Sequence, residues 1–333
     1  MRIGIDARKI SDYGIGTYIR GLLGALAATG DDELIAFAPA GTALPDGVAH
    51  VAVDAPHYSL RELLAVGRAA DRAHLDLFHA PHYVVPFTRV PVVVTIHDLI
   101  HLTWPPRNPL APFYARAMLG RAVRKARRVL TVSEASKRAI VETLLVSPDD
   151  VVVTPNGIDE RFFVERAADS EQRAGAPPYP LSAIRYFLFV GNDKPHKTLG
   201  VLKAAVARLR GVRLVIAGAA NFVSGDELAA LYRGAIALVM PSAEEGFGLP
   251  AAEAMACGTA VITSRAAALV EITGDAALHV DAEPGSLAAA MQRLIDDDDL
   301  RRALSIRGRE RARSMTWTRC AELTRAAYRD AIA

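Results

Sequence analysis

Short apolar runs alternate with longer amphipathic stretches along most of the chain. Arg2–Asp6, Leu34–Ala38, Val51–Val53, Leu77–His79, Val92–Ile96 and Val129–Val132 read as buried strands, and about Gly16–Ala28, Leu60–Ala73 and Ala111–Arg128 read as helices between them. Such alternation predicts a mostly parallel, doubly wound α/β sheet whose ligands lie beyond the carboxyl ends of its strands. The pattern breaks over residues 166–183, first polar and then proline-rich from Gly175 to Pro180, which reads as a linker. It restarts with strands at Tyr186–Val190, Arg213–Ala217, Ala237–Met240 and Ala260–Thr263, and helices at Thr198–Arg208, Glu227–Gly234, Gly248–Cys257 and Ser286–Asp296. Two α/β domains in series predict a ligand cleft between them.

Composition narrows the function classes. The 333 residues carry 39 Lys+Arg against 37 Asp+Glu, a net charge of +2, which gives no global reason to expect nucleic acid. Cys257 and Cys320 are too few for a disulfide scaffold or a four-ligand zinc site and fall in helical stretches, so buried, reduced thiols are expected. No apolar run reaches the length of a membrane span, and no apolar leader follows Met1-Arg2, so a cytoplasmic protein is expected. The basic stretch Arg116–Arg128 reads either as a solvated helix face or as a contact with anionic membrane on the inner face of the plasma membrane. Asp296–Asp299 before Leu300 reads as a helix start rather than a metal–diphosphate motif.

The densest chemistry lies at Pro241–Met255. An apolar strand runs into Glu245-Gly246-Phe247-Gly248-Leu249-Pro250, with Pro250 suited to a helix's first turn. Amides of Phe247, Gly248 and Leu249 at such a terminus can take an anion. Glu245 and Glu253, with seven residues between them, can both face one polyhydroxylated ligand, although a first-turn glutamate of purely structural role fits the same pattern. His79, His82, His97 and His101 lie on different elements without the tight spacing of a metal site.

Glu-Gly-Phe-Gly-Leu-Pro followed by Glu253-Ala-Met-Ala-Cys-Gly-Thr259 resembles the signature of retaining GT-B glycosyltransferases, most closely family 4 (glycosyl transferases group 1). Val132–Lys137, Thr154–Asp159 and Phe189–Lys197 continue the resemblance in order over nearly the whole chain. It implies a GT-B fold of two Rossmann-like domains facing a cleft: an acceptor domain over 1–165, a donor domain over 184–312, and a helix in 313–333 returning to the first domain. By resemblance Glu253 holds the donor ribose, Glu245 reaches hydroxyls of the transferred sugar, and Lys197 binds phosphate. Gly246, Phe247, Gly248 and Leu249 belong to the same donor loop. Where the family has an arginine after the strand-end glycine, this chain has Asn192 and Asp193, with Lys194 as the candidate replacement charge.

In the first domain Gly14 and Gly16 match a family glycine pair in a loop near the donor phosphate and acceptor, although a tight turn before a helix fits too. His97 matches a histidine near the transferred sugar, with Asp98 placed to orient its ring; a satisfied histidine at a sheet edge is the alternative. The resemblance implies no metal and no other cofactor, a nucleoside-diphosphate sugar as donor, and a glycan or lipid-linked glycan of bacterial surface polysaccharide as acceptor. Gly191–Lys197 and His97–Leu102 look most like mannosyltransferases using GDP-mannose, with UDP- and dTDP-sugars behind. After Gly218 the chain lacks about one β–α unit of the family pattern, so a second sheet one strand short is expected. A paralogue that binds nucleotide sugar or glycan without turnover is the alternative reading.

Overall fold

The computed structural model describes residues 1–56, 59–104, 111–164, 185–218 and 223–333. The chain divides into two compact units, one made of Met1–Gly157 with Thr316–Ala333 and the other of Ile158–Met315.

The first unit runs β1 (Arg2–Asp6), α1 (Tyr13–Thr29), β2 (Glu33–Ala38), β3 (Val48–Ala52), α2 (Leu60–Arg72), β4 (Leu77–Ala80), β5 (Val92–Thr95), α3 (Ile100–Thr103), α4 (Ala111–Lys125), β6 (Arg128–Thr131), α5 (Glu134–Leu144) and β7 (Val151–Val153). Its seven described strands are all parallel, in the order β3-β2-β1-β4-β5-β6-β7. Helices cover both faces, so β4 and β5 are buried along their whole length and are mostly apolar, with His79 and Thr95 the polar exceptions. Ser59 and Ser133 start α2 and α5 by accepting the amides of Glu62 and Ser136. The basic helix stops at Lys125, earlier than the sequence pattern predicts, because Arg128 already belongs to β6.

The second unit follows with β8 (Tyr186–Val190), α6 (Leu199–Val206), β9 (Arg213–Ala217), α7 (Gly225–Gly234), β10 (Ala237–Met240), α8 (Leu249–Ala256), β11 (Ala260–Thr263), α9 (Ala267–Thr273), β12 (Ala277–His279), α10 (Pro284–Asp296) and α11 (Asp298–Ala312). Its five described strands are parallel in the order β12-β11-β10-β8-β9, with β12 and β9 at the two edges. Residues 219–222, where the chain is expected to lack one β–α unit of the family pattern, and the linker at 166–183 lie outside the described residues. As read from its aspartates, α11 starts at an Asp297 cap that accepts the Leu300 amide.

The final helix, α12 (Trp317–Ile332), belongs to the first unit, as the resemblance implies. Cys320, Ala321, Ala327 and Tyr328 are buried in the core that also holds Tyr18, Ile19 and Leu22 of α1. Arg325 of α12 anchors it to Asp32 at 2.7 Å, and Arg128 reaches Asp330 at 2.6 Å. Cys257 and Cys320 are both buried free thiols.

Candidate functional site

In the second sheet β8 lies between β9 and β10, so the strand order reverses there and the loops after β8 and β10 leave the same end side by side. That reversal is where open parallel sheets bind ligands. The loop after β8 ends in a single 3₁₀ turn, Pro195–Lys197, and the loop after β10 spans Pro241–Gly248. Two hydrogen bonds clamp them together: the Ala243 amide donates to the His196 carbonyl at 2.7 Å, and Thr198 Oγ1 donates to the Pro241 carbonyl at 2.6 Å. The clamp brings Lys197 Nζ to 2.6 Å from Glu245 Oε1, with both side chains largely buried.

Behind this pair, Gly248 takes φ +98°, and a Cβ there would stand 2.5 Å from Leu269 Cδ2, so a side chain is excluded twice over. The amides of Phe247, Gly248 and Leu249 have no partner among the described residues at the entrance of α8. Glu253, one turn into α8, is buried and accepts a 2.8 Å hydrogen bond from the Tyr232 hydroxyl. Burial pushes its carboxyl up to about 7, against the lowering effect of Tyr232. Asn192 sits at the strand-end turn with its Oδ1 buried and unpartnered among the described residues, whereas Lys194 is exposed. Lys197, Glu245, Gly246, Phe247, Gly248, Leu249 and Glu253 thus line one pair of loops and the helix they open.

In the first unit, His97 follows β5. Its Nε2 is 3.0 Å from the Pro81 carbonyl, which can only accept, so this nitrogen carries the hydrogen. Ser136 Oγ donates to the His97 carbonyl at 2.9 Å, and the Tyr18 ring packs against the imidazole edge to face at 4.8 Å. Burial lowers the His97 pKa from its ordinary value, with Asp98 acting in the opposite direction. Asp98 does not hydrogen-bond the ring, contrary to expectation: its Oδ1 accepts the Ile100 amide at 3.0 Å. Gly14 and Gly16 do not form a loop either. Both lie in the first turn of α1, where a Cβ at Gly16 would strike the Ile10 carbonyl at 2.4 Å and one at Gly14 would meet nothing.

Sequence reasoning missed a buried charged cluster at the reversal point of this first sheet, between β1 and β4. Arg8 bridges Asp6 at 2.6 Å and Glu62 at 2.7 Å, and His82 Nε2 lies 3.4 Å from Asp6. Burial alone would raise the Asp6 carboxyl, but His82 and Arg8 outweigh it and hold it well below the usual range. The cluster had no local signal, since Glu62 is 54 positions from Arg8.

Residues 13–162 match the family model described as Glycosyltransferase Family 4, and residues 219–311 match that of Glycosyl transferases group 1. The chain belongs to this glycosyltransferase family. Among relatives of this glycosyltransferase, O-antigen chain mannosyltransferase B of Escherichia coli is 28% identical over 283 residues, covering 76% of this chain and 74% of the relative. The MMP alpha-(1->4)-mannosyltransferase of Mycolicibacterium hassiacum is 34% identical over 246 residues, covering 65% of this chain and 57% of that protein. Sucrose-phosphate synthase from Thermosynechococcus elongatus superposes with a TM-score of 0.81 at 21% identity, over 99% of this chain and 98% of that one, a likeness of fold. The fold is accordingly GT-B.

Proposed function

We propose that this glycosyltransferase moves a sugar from a nucleoside diphosphate, mannose from GDP-mannose as the first choice, onto a glycan or lipid-linked glycan of a bacterial surface polysaccharide, with retention at the anomeric carbon. The observation that carries the reading is the Lys197–Glu245 pair at 2.6 Å, clamped at the reversal point of the second sheet. A bound diphosphate competes with Glu245 for the Lys197 ammonium, which frees the carboxylate for hydroxyls of the transferred sugar. The α8 entrance amides supply further donors to phosphate oxygens, and Glu253 takes the ribose hydroxyls. Lys197 and the helix terminus together neutralise the charge that grows on the leaving diphosphate, so no divalent ion is required in this scheme. Attack comes from the face the diphosphate leaves, its phosphate oxygen takes the acceptor proton, and no protein nucleophile is assigned. His97 serves the transferred sugar. The names of the two mannosyltransferase relatives support the choice of mannose.

We further propose peripheral membrane contact through α4. Arg121 is spent inside the fold, stacked 4.2 Å over Phe87, and Arg128 pairs with Asp330, so the contact falls to exposed Phe113, Arg116, Arg124 and Lys125. No helix of the described residues is long and apolar enough to cross a membrane.

A thermal-shift panel with GDP, UDP, dTDP and ADP, each with and without EDTA, tests the donor half. A ligand at about 100 times its Kd adds about 2.7 kcal/mol, a rise of a few degrees. A rise with GDP that survives EDTA supports the reading, and a rise with another base alone moves the donor class. Stabilisation with no turnover for any sugar donor favours the binding paralogue. Liposome sedimentation with phosphatidylglycerol against phosphatidylcholine vesicles tests the contact through α4.

A further inference from the structure

The aromatic ring that faces His97 is itself held by a buried hydrogen-bond chain that starts on α12. Tyr328 Oη lies 2.7 Å from His79 Nδ1, His79 Nε2 lies 2.7 Å from Thr95 Oγ1, and Thr95 Oγ1 lies 2.9 Å from Tyr18 Oη. Tyr328, His79, Thr95 and Tyr18 are all fully buried. We propose that Tyr18 is a positioning residue for His97, and that the chain Tyr328–His79–Thr95–Tyr18 extends this positioning to α12. The proposal rests on the assignment of His97 to the transferred sugar.

Four features support it. First, the chain is complete with neutral groups. The Thr95 hydroxyl has one hydrogen and two lone pairs, so it donates to one neighbour and accepts from the other, and a neutral His79 matches it with one donor and one acceptor nitrogen. Burial pushes His79 down to about 3, which keeps it neutral. Second, the chain follows the topology: His79 is on β4, Thr95 ends the adjacent β5, and His97 lies two residues beyond Thr95, so one Tyr18 side chain meets both, Thr95 by its hydroxyl and His97 by its ring. Third, Tyr18 meets His97 edge to face at 4.8 Å and 85°, the geometry aromatic rings prefer. Trp317, also on α12, meets the Tyr18 ring at 6.3 Å, so α12 holds Tyr18 both by its ring and through its hydroxyl. Fourth, the Pro81 carbonyl fixes only Nε2 of His97, and a single hydrogen bond leaves the ring free to swing about it. Tyr18 stops that swing, so the Nδ1 lone pair keeps one direction.

The test uses the full-length protein and the variants Tyr18→Phe and Tyr328→Phe, each of which removes one oxygen and no ring. Tyr186→Phe is the control, because it deletes another buried hydroxyl, bonded to the Leu231 carbonyl at 2.7 Å in the second unit. Imidazole ¹H–¹⁵N correlation spectra, with His97 assigned by its loss in His97→Gln, read the ring directly. The two chain variants are expected to shift or broaden the His97 signals, and Tyr186→Phe to leave them in place. In turnover assays with the donor that the nucleotide panel selects, Tyr18→Phe is expected to lower kcat by up to about 100-fold with the donor KM unchanged, and Tyr328→Phe to lower it less. Unchanged His97 signals in both chain variants overturn the proposal, as does a kcat loss no larger than that of Tyr186→Phe. If no form of the protein turns over any sugar donor, it is the transferase reading that has failed. The His97 spectra then decide the positioning claim alone.

Discussion

Tyr232 on α7 donates a 2.8 Å hydrogen bond to the buried carboxyl of Glu253 on α8. The bond does not offset desolvation, and the carboxyl rises from 4.5 to about 7. A folded-state pKa above the unfolded one means that the folded protein holds the extra proton between these two values. Stability therefore falls as pH rises from about 4.5 through about 7, by about 3 kcal/mol from this group, and the loss is complete above that window. Glu253→Gln should flatten this slope. Urea unfolding at pH 5 and pH 8 checks it: the stability of the variant relative to wild type must improve by about that amount at the higher pH.

Glu245 and Lys197 should separate when mutated singly. Lys197→Met removes the largely buried cation that the clamped loops hold beside Glu245, and a lost charge-assisted bond of about 1.5–3 kcal/mol weakens nucleoside-diphosphate binding by roughly 10- to 150-fold. Glu245→Ala leaves Lys197 unopposed, so nucleotide affinity should hold or rise while sugar transfer is lost. Calorimetric titration of both variants with the stabilising nucleotide, alongside turnover, checks the pair. A parallel loss of affinity in Glu245→Ala would remove Glu245 from its sugar-facing role.

Two glycines of α1 make an internal comparison of packing against propensity. A Cβ at Gly21 would stand 2.1 Å from the Trp317 indole, whereas one at Gly24 would meet nothing within 4 Å. Alanine gains about 1 kcal/mol in a helix interior, while overpacking costs about 1–3 kcal/mol. Gly24→Ala should raise Tm, and Gly21→Ala should lower it by prising α12 from α1. Differential scanning calorimetry of the two variants reads the opposite signs.

Burial pushes the thiols of both Cys257 and Cys320 up to about 12. Reaction with a disulfide probe such as DTNB at pH 8 should therefore be negligible in the native protein and release two equivalents in urea. A fast-reacting thiol under native conditions would contradict the packing of α8 or α12.

Most of the parallel strands were legible because buried strands appear as short apolar runs with glycine, proline and polar residues at their ends, whereas the three-residue β7 and β12 were too short to stand out, and the turn into α8 was legible because Gly248 and Pro250 mark it locally. The Lys197–Glu245 contact was not: 48 positions separate the two residues, and only the adjacency of β8 and β10 brings their loops together. Gly14 and Gly16 read as a loop because they match the family's glycine pair, yet both lie in the first turn of α1, where the Ile10 carbonyl leaves no room for a side chain at Gly16. Nothing along the chain reveals which partners the hydroxyls of Tyr18 and Tyr232 find. The basic run ending at Arg128 misplaced the end of α4, because a strand can begin inside a continuous stretch of positive charge.

Residues 158–315 interrupt the sequence of the first unit, and the Ile158 amide bonds the Met315 carbonyl at 3.0 Å, so the interruption starts and stops at one point. On the ribosome, the second unit therefore has all its residues before the first does. Until residues 316–333 emerge, the half-made first unit exposes the apolar groove that α12 will fill, and His79 lacks Tyr328. The half translated first is the half completed last.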